Sequence, residues 1–181
     1  MTAMVDDLLV LSRIRLSKGI QLSRERVDVA ALCQAAVEDA SAMHPDCDYR
    51  ITVVGHPEAE LDNVRMHQLL VNLLGNAAQH GDRGEPVELA VDSTDAGLCF
   101  RVSNTGDEID KDTLGTIFDP MVQLEPDDKS SPAATTSLGL GLHIAREIAS
   151  AHLGEISATS ADNRTTFTVC LPSPDGVHDA S

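Results

Sequence analysis

The chain has 181 residues, and its 29 acidic residues against 13 lysine and arginine residues give it a formal net charge of −16. Such a charge opposes binding to a nucleic-acid backbone or to an anionic membrane, because both kinds of contact depend on basic side chains. Hydrophobic residues make up 42% of the sequence, which is enough for one globular domain with a single core.

Residues 1–18 have the pattern of an amphipathic helix. Their apolar residues recur at heptad-like spacing, at Met1, Met4, Leu8 and Leu11. A single short helix with such a stripe needs a surface to pack against. Two structures meet that need: a helix docked on the domain, or, as we prefer, one helix of a dimerising hairpin whose other helix is missing. The polar residues 19–27 are predicted to connect this helix to the domain.

Helical patterns recur through the domain, which we place at residues 28–172. Asp28 is a good N-cap for the first of its helices. Gly81 and Gly154 stop two others, since glycine commonly ends a helix. The predicted helices cover residues 29–43, 64–80, 112–117 and 142–152.

Strand patterns lie between these helices and mostly arrive in pairs. They cover residues 49–54, 87–92, 98–103, 155–160 and 165–171. Paired strands favour an α+β fold, a two-layer sandwich in which helices cover a mixed, mainly antiparallel sheet. The tail, residues 173–181, is predicted to be frayed.

The cysteines and the lengths of the apolar runs indicate the cellular compartment of the chain. Cys33, Cys47, Cys99 and Cys170 are far apart and form no C-x-x-C pair, so we expect free thiols in a reducing compartment. No run approaches the roughly 20 apolar residues of a membrane helix, and no signal peptide is visible. We therefore expect a soluble, cytoplasmic piece, and this expectation says nothing about whether a larger parent protein is anchored in a membrane.

Three polar residues line one face of the predicted helix over residues 64–80. Asn72, Asn76 and His80 recur every four residues, while leucines form another, buried face. Asparagine is a moderate helix former, so two of them here need a reason. One reason is magnesium, because an amide oxygen is a hard ligand that suits this ion. The alternative is a solvated polar stripe.

Two short glycine motifs follow along the chain. In the first, Gly106 permits close backbone approach, and Asn104 offers an acceptor and two donors that suit the edge of adenine. The second motif directly precedes a helix, where Gly139 and Gly141 expose amides that can hold phosphate oxygens. Taken alone, each motif is weak, because turns and G-x-G sequences are common.

In this order, the motifs resemble the ATP-binding domain of bacterial sensor histidine kinases, in the GHKL superfamily with DNA gyrase, Hsp90 and MutL. Residues Asn72–His80 resemble the N box, Asn104–Ile109 the first glycine box, Ile117–Met121 the F box and Ser137–Leu142 the second glycine box. The second glycine box looks like that of phytochrome-type and PAS-linked kinases. Residues 1–16 are similar to the second helix of the dimerisation and phosphotransfer domain.

The resemblance implies the Bergerat ATP-binding fold, with ATP between the helices and a flexible lid over residues 122–137. It implies that Asn76 would ligate Mg²⁺, that Asn72 would support the phosphates and that Asn104 would read adenine. The remaining implied nucleotide contacts are Gly106, Ile109, His80, Phe118, Gly139, Leu140, Gly141 and Leu142. Further candidate contacts are Arg65, Gln79 and Lys129.

The resemblance also implies a reaction and partners. In the ATP-hydrolysing branch, a glutamate one turn before the metal-binding asparagine activates water, and Asn72 at that place cannot act as a base. Phosphoryl transfer to another nucleophile is therefore favoured. The implied partners are the histidine-bearing dimerisation domain of the same kinase, a response regulator and a second copy in a full-length homodimer. Because the acceptor helix is not in this sequence, we expect binding of ATP·Mg²⁺ without self-phosphorylation.

Several residues depart from the family pattern and keep alternatives open. Asn104 stands where most relatives have aspartate, and Gln79 where many have lysine. Glu108 and Ser137 replace glycines, and a carboxylate near a polyanion should weaken its binding. One alternative is therefore a regulatory domain that has lost useful nucleotide binding. Another is an anti-sigma-factor serine kinase of similar fold, against which the helix over residues 1–16 counts.

Overall fold

A computed structural model describes residues 20–55, 57–94, 97–120 and 140–173. The strands are β1 (Glu25–Asp28), β2 (Tyr49–Val53), β3 (Glu58–Leu61), β4 (Val87–Thr94), β5 (Gly97–Thr105), β6 (Glu155–Ala161) and β7 (Arg164–Pro172). The helices are α1 (Val29–Met43), α2 (Asn63–His80), α3 (Lys111–Thr116) and α4 (Gly141–Ala151). The predicted helix over 1–18, the predicted lid over 122–137 and nearly all of the predicted tail lie outside these residues. None of the described helices is long and apolar enough to cross a membrane.

A five-stranded sheet in the order β2-β4-β5-β7-β6 forms one layer of the fold. β2 pairs with β4 in parallel, and every other neighbouring pair is antiparallel. β6 and β7 form a tight hairpin whose turn residues, Asp162 and Asn163, both have positive φ, as a two-residue turn of type I′ requires. The mixed, mainly antiparallel sheet with helices on one face confirms the predicted α+β sandwich.

The core lies between one face of this sheet and the helices. Successive side chains of a strand point to opposite faces, so one face is apolar and contains Phe100 and Phe167, both fully buried. α2 covers this face with a set of fully buried leucines, namely Leu69, Leu70, Leu73 and Leu74. Because leucines fill that side of α2, its polar side chains are directed elsewhere.

Carboxylates cap the starts of α1 and α2. The Asp28 carboxylate accepts hydrogen bonds from the Ala30 and Ala31 amides at 2.9 and 3.1 Å, as predicted for this N-cap. Asp62 accepts one from the Arg65 amide at 3.0 Å. The first amides of a helix have no partner within the helix, so these side chains supply one and fix where each helix begins.

The predicted connector, residues 19–27, ends in a strand, β1, that the sequence pattern does not reveal and that extends to Asp28. β1 pairs with β3 in antiparallel register, from Glu25 opposite Leu61 to Asp28 opposite Glu58. Each strand has only four residues: three of β1 are charged, and β3 alternates glutamate with just two apolar residues, Ala59 and Leu61, which is too short a pattern to predict a strand.

The expectation of four free thiols is wrong for two of them. Cys99 of β5 and Cys170 of β7 are directly opposite in the strand register, with Cα atoms 4.1 Å apart, and form a disulfide. Only strand pairing brings them together, because 71 residues separate them in sequence. Cys33 and Cys47 are free thiols, and burial raises the pKa of Cys33 to about 12.

Candidate nucleotide site

The start of α4 meets the polar face of α2 at Asn72. The Asn72 side-chain Nδ2 donates a hydrogen bond to the Gly141 carbonyl oxygen at 3.1 Å. A Cβ added at Gly141 would lie 3.6 to 3.7 Å from atoms of the Asn72 side chain. The first residue of α4 is therefore packed directly on α2, and the structure brings the N box and part of the second glycine box together.

The other end of α2 meets the end of β5. A Cβ added at Gly106 would lie 2.7 Å from the His80 carbonyl oxygen, and one added at Gly81 would lie 3.3 Å from the Asn104 Cβ. These backbones cross so closely that a side chain at Gly106 would collide with main-chain atoms. The N box is thereby joined to the first glycine box.

Asn76 lies between these two junctions. It is one helical turn from Asn72 and one from His80, so the three side chains share a face of α2. Both asparagines are half-buried. Burial lowers the pKa of His80 below its ordinary value, so the imidazole is neutral at neutral pH. α2 thus presents two amides and an uncharged imidazole between α4 and β5.

Asn104 is a buried amide near the end of β5, with 5% of its surface exposed. Its one hydrogen bond to a described residue is long, from Nδ2 to the Thr105 carbonyl oxygen at 3.4 Å. Buried amides normally satisfy more of their donors and acceptors. Asn104 therefore has hydrogen-bonding capacity left for a ligand with a donor and an acceptor on one edge.

The first turn of α4 can receive an anion. Leu140 occupies its N-cap position, and no described side chain caps the amides that follow. The first turn contains no acidic residue, and the side chains of Leu140 and Leu142 are buried in the core. Free amides and the helix dipole at such a start attract phosphate oxygens. The buried leucines hold the turn that carries those amides.

Ile109 and Phe118 are positioned by the last two strands. The Ile109 amide donates to the Ser160 Oγ of β6 at 2.9 Å. The Phe118 ring packs edge-on against the Phe167 ring of β7, with centroids 6.3 Å apart and an interplanar angle of 79°. These two predicted residues are therefore held against β6 and β7.

The remaining predicted residues divide into exposed side chains and residues outside the described ranges. Gln79 and Asp107 are exposed, and the Arg65 guanidinium donates to the Gln68 side chain at 3.0 Å. The exposed Glu108 carboxylate lies 3.4 Å from the Asn163 amide nitrogen in the β6–β7 turn. Gly139, Lys129 and Ser137 lie outside the described residues.

We expect Gly106→Ala to lower the free energy of unfolding by about 2 kcal/mol, because its Cβ would meet backbone rather than a movable side chain. Urea denaturation measures the change. Gly115→Ala is the matched control, since a Cβ there has no atom within 4 Å, and this helical site should gain up to about 1 kcal/mol. Equal effects of the two substitutions would show that the crossing is looser than described.

A buried contact between the N-terminal end of α2 and the C-terminal end of α4 was not predicted. The His152 Nε2 accepts a hydrogen bond from the Asp62 amide at 3.1 Å, and its Nδ1 donates to the Ile148 carbonyl oxygen at 2.9 Å. The Asp62 carboxylate also accepts from the Ser23 amide at 2.8 Å. Since 90 residues separate Asp62 from His152, no sequence spacing signals this contact.

The amide-bearing face of α2, the start of α4, which no described side chain caps, and the buried Asn104 are all groups that suit a nucleotide. The family model of histidine kinase-, DNA gyrase B-, and HSP90-like ATPases matches residues 61–175, and the chain belongs to this family.

Within the family, the chain is similar to sensor kinases. It is 35% identical over 178 residues to the sensor histidine kinase TrcS of Mycobacterium tuberculosis, an alignment that covers 95% of this chain and 34% of the relative. It is 28% identical over 172 residues to a bacteriophytochrome of Pseudomonas aeruginosa, covering 95% of this chain and 23% of that protein. The chain thus spans about a quarter to a third of the length of these relatives.

Solved structures share the fold. The histidine kinase AdeS of Acinetobacter baumannii superposes with a TM-score of 0.75 at 19% identity, covering 96% of this chain and 78% of that one. Full-length ShkA, solved in complex with AMPPNP, superposes with a TM-score of 0.79 at 24% identity, covering 94% of this chain and 35% of that one. At these identities, the likeness concerns the fold.

Proposed function

We propose that this chain is the ATP·Mg²⁺-binding catalytic domain of a two-component sensor histidine kinase. The kinase would transfer the γ-phosphate of ATP to a histidine on its own dimerisation domain, from which a response regulator would receive it. One observation carries the proposal: Asn72 of α2 is hydrogen-bonded to Gly141 at the start of α4. Asn72 belongs to the amide face of α2, and Gly141 begins the turn of α4 whose amides no described side chain caps, so this contact supports a site shared by the two helices.

The residues around this contact fit a magnesium-bound nucleotide. The free amides of α4 suit phosphate oxygens, the Asn76 amide oxygen suits Mg²⁺, and the buried Asn104 suits the edge of adenine. When bound, Mg²⁺ neutralises the negative charge of the triphosphate. The chain needs such local groups, because its net charge of −16 repels an anion at longer range.

The same residues favour phosphoryl transfer over hydrolysis. An amide cannot take a proton from water, and the Asn72 amide nitrogen is already engaged with Gly141. Transfer to a histidine depends instead on alignment and charge neutralisation. The role of Asn72 in this proposal is to hold the start of α4 in place, so that its amides are already oriented when the phosphates arrive.

The two alternatives fit less well. A regulator without nucleotide binding is suggested by Glu108 and Ser137, but the Glu108 side chain is exposed beside the β6–β7 turn, and Ser137 lies outside the described residues. An anti-sigma-factor serine kinase would share the fold, whereas TrcS, the relative in M. tuberculosis, is named a sensor histidine kinase.

Isothermal titration of the chain with ADP and with AMPPNP, each with and without Mg²⁺, tests the proposal. We expect saturable binding of one nucleotide that is tighter with Mg²⁺, because Asn76 and the phosphates would share the ion. Absence of binding at millimolar nucleotide would favour the regulator instead.

A second experiment tests the expected lack of self-phosphorylation. After incubation with γ-labelled ATP, the chain alone should carry no acid-sensitive label. Label on any of its seven histidines would contradict the assignment of the acceptor to the dimerisation domain.

A further inference from the structure

The stretch Ile117–Asp119 is fastened to α4 by two polar contacts. The His143 Nδ1–H donates to the Phe118 carbonyl oxygen at 3.2 Å. The Arg146 Nη1 donates to the Asp119 carboxylate at 3.2 Å. His143 and Arg146 are three residues apart, and the second guanidinium nitrogen lies 3.4 Å from the His143 ring. Both contacts therefore come from one face of α4.

These contacts and Asn72 hold the same part of α4 from different elements. Asn72 of α2 binds the Gly141 carbonyl, and the contacts of His143 and Arg146 follow within the next turn and a half. The stretch that they hold is itself anchored, because Ile117 is buried and Phe118 packs on the Phe167 ring of β7. The first turn of α4 is thus located relative to both α2 and the sheet.

We propose that Arg146 and Asp119 are positioning residues for phosphate binding, an inference that rests on the proposed nucleotide site. They act through α4, by fixing where its free amides lie, and touch no nucleotide themselves. Their side chains are 35% and 50% exposed, and an ion pair so exposed adds little to stability. The affinity of backbone amides for phosphate oxygens, by contrast, depends steeply on where the amides lie.

The ligand used in the titration separates this role from a general effect on the fold. With ADP and Mg²⁺, Arg146→Gln and Asp119→Asn should each weaken binding by about fivefold. With adenosine, which has no phosphate, both variants should bind like the unmodified chain. The exchange Asp119→Arg with Arg146→Asp should restore ADP affinity to within about twofold, because the pair is rebuilt with reversed polarity.

The matched control is Arg101→Gln, which breaks a second ion pair, between Arg101 and Asp92 on the opposite face of the sheet. The side chains of Arg101 and Asp92 are 42% and 41% exposed, much like those of Arg146 and Asp119. Loss of this ion pair should therefore lower the free energy of unfolding by a similar amount and leave ADP binding unchanged. The inference is overturned if Arg146→Gln weakens ADP binding no more than this control does. It is also overturned if Arg146→Gln weakens adenosine binding as much as ADP binding. Failure of the unmodified chain to bind ADP would overturn the proposed function as well.

Discussion

Asn76→Ala is expected to weaken the binding of ADP in the presence of Mg²⁺ by about 100-fold, or about 2.7 kcal/mol. Asn76 is central on the α2 face, one turn from the contact with α4 and one turn from the junction with β5. Its amide oxygen is the hard ligand proposed for the ion that bridges the phosphates. Titration calorimetry in Mg²⁺ and in EDTA measures the change.

The two conditions decide what Asn76 does. If it acts through magnesium, the variant and the unmodified chain should bind ADP equally weakly in EDTA. Asn63→Ala on the same helix is the control, because Asn63 is exposed at the far end of α2. Equal losses with and without Mg²⁺ would refute the metal role and indicate a direct contact with the nucleotide.

His152→Phe is expected to lower the free energy of unfolding by about 2–3 kcal/mol at pH 8. The substitution keeps the ring but removes the acceptor of the buried Asp62 amide and a donor to the Ile148 carbonyl. Chemical denaturation measures the loss. His67→Phe is the matched control, since the contact of His67 with Asp39 is at the surface and should contribute less than about 1 kcal/mol.

The contribution of His152 should also depend on pH. Burial is the main cause that lowers its pKa below the ordinary value of 6.5, so the unfolded chain takes up the proton first as the pH falls. Stability from the neutral ring is therefore complete above about pH 6.5 and is lost as the pH falls toward the lowered native pKa. The difference between the unmodified chain and His152→Phe should shrink from pH 8 to pH 5. A difference that stays constant would mean that the ring is not held neutral.

The main helices and the sheet were predictable because their signals are local. The Asp28 cap and the stop at Gly81 each lie within one turn of the helix end that they mark. β1 and β3 were missed because each has only four residues, with one apolar residue in β1 and two in β3, so the local signal is too weak. The Cys99–Cys170 disulfide was missed because it depends on strand register, which spacing in the sequence does not encode.

The residues of the site likewise include some that the sequence predicted and some that it did not. Regular spacing and the family resemblance were enough to select Asn72, Asn76 and Asn104 as candidates. The bond from Asn72 to Gly141 depends on how two helices pack, and its partners are 69 positions apart in the sequence. Asp62 and His152, which tie together the far ends of those helices, carry no motif at all.

The position of β7 in the sheet has a consequence for how the protein folds during its synthesis. β7 is the last described strand along the chain, yet it lies inside the sheet, between β5 and β6. Until the ribosome has released β7, one edge of β5 lacks its partner from Gly97 to Thr105, the stretch that contains Asn104. We therefore expect nucleotide binding to emerge only after residue 172 has left the ribosome, and a nascent chain arrested before residue 164 should expose a strand edge open to misassembly.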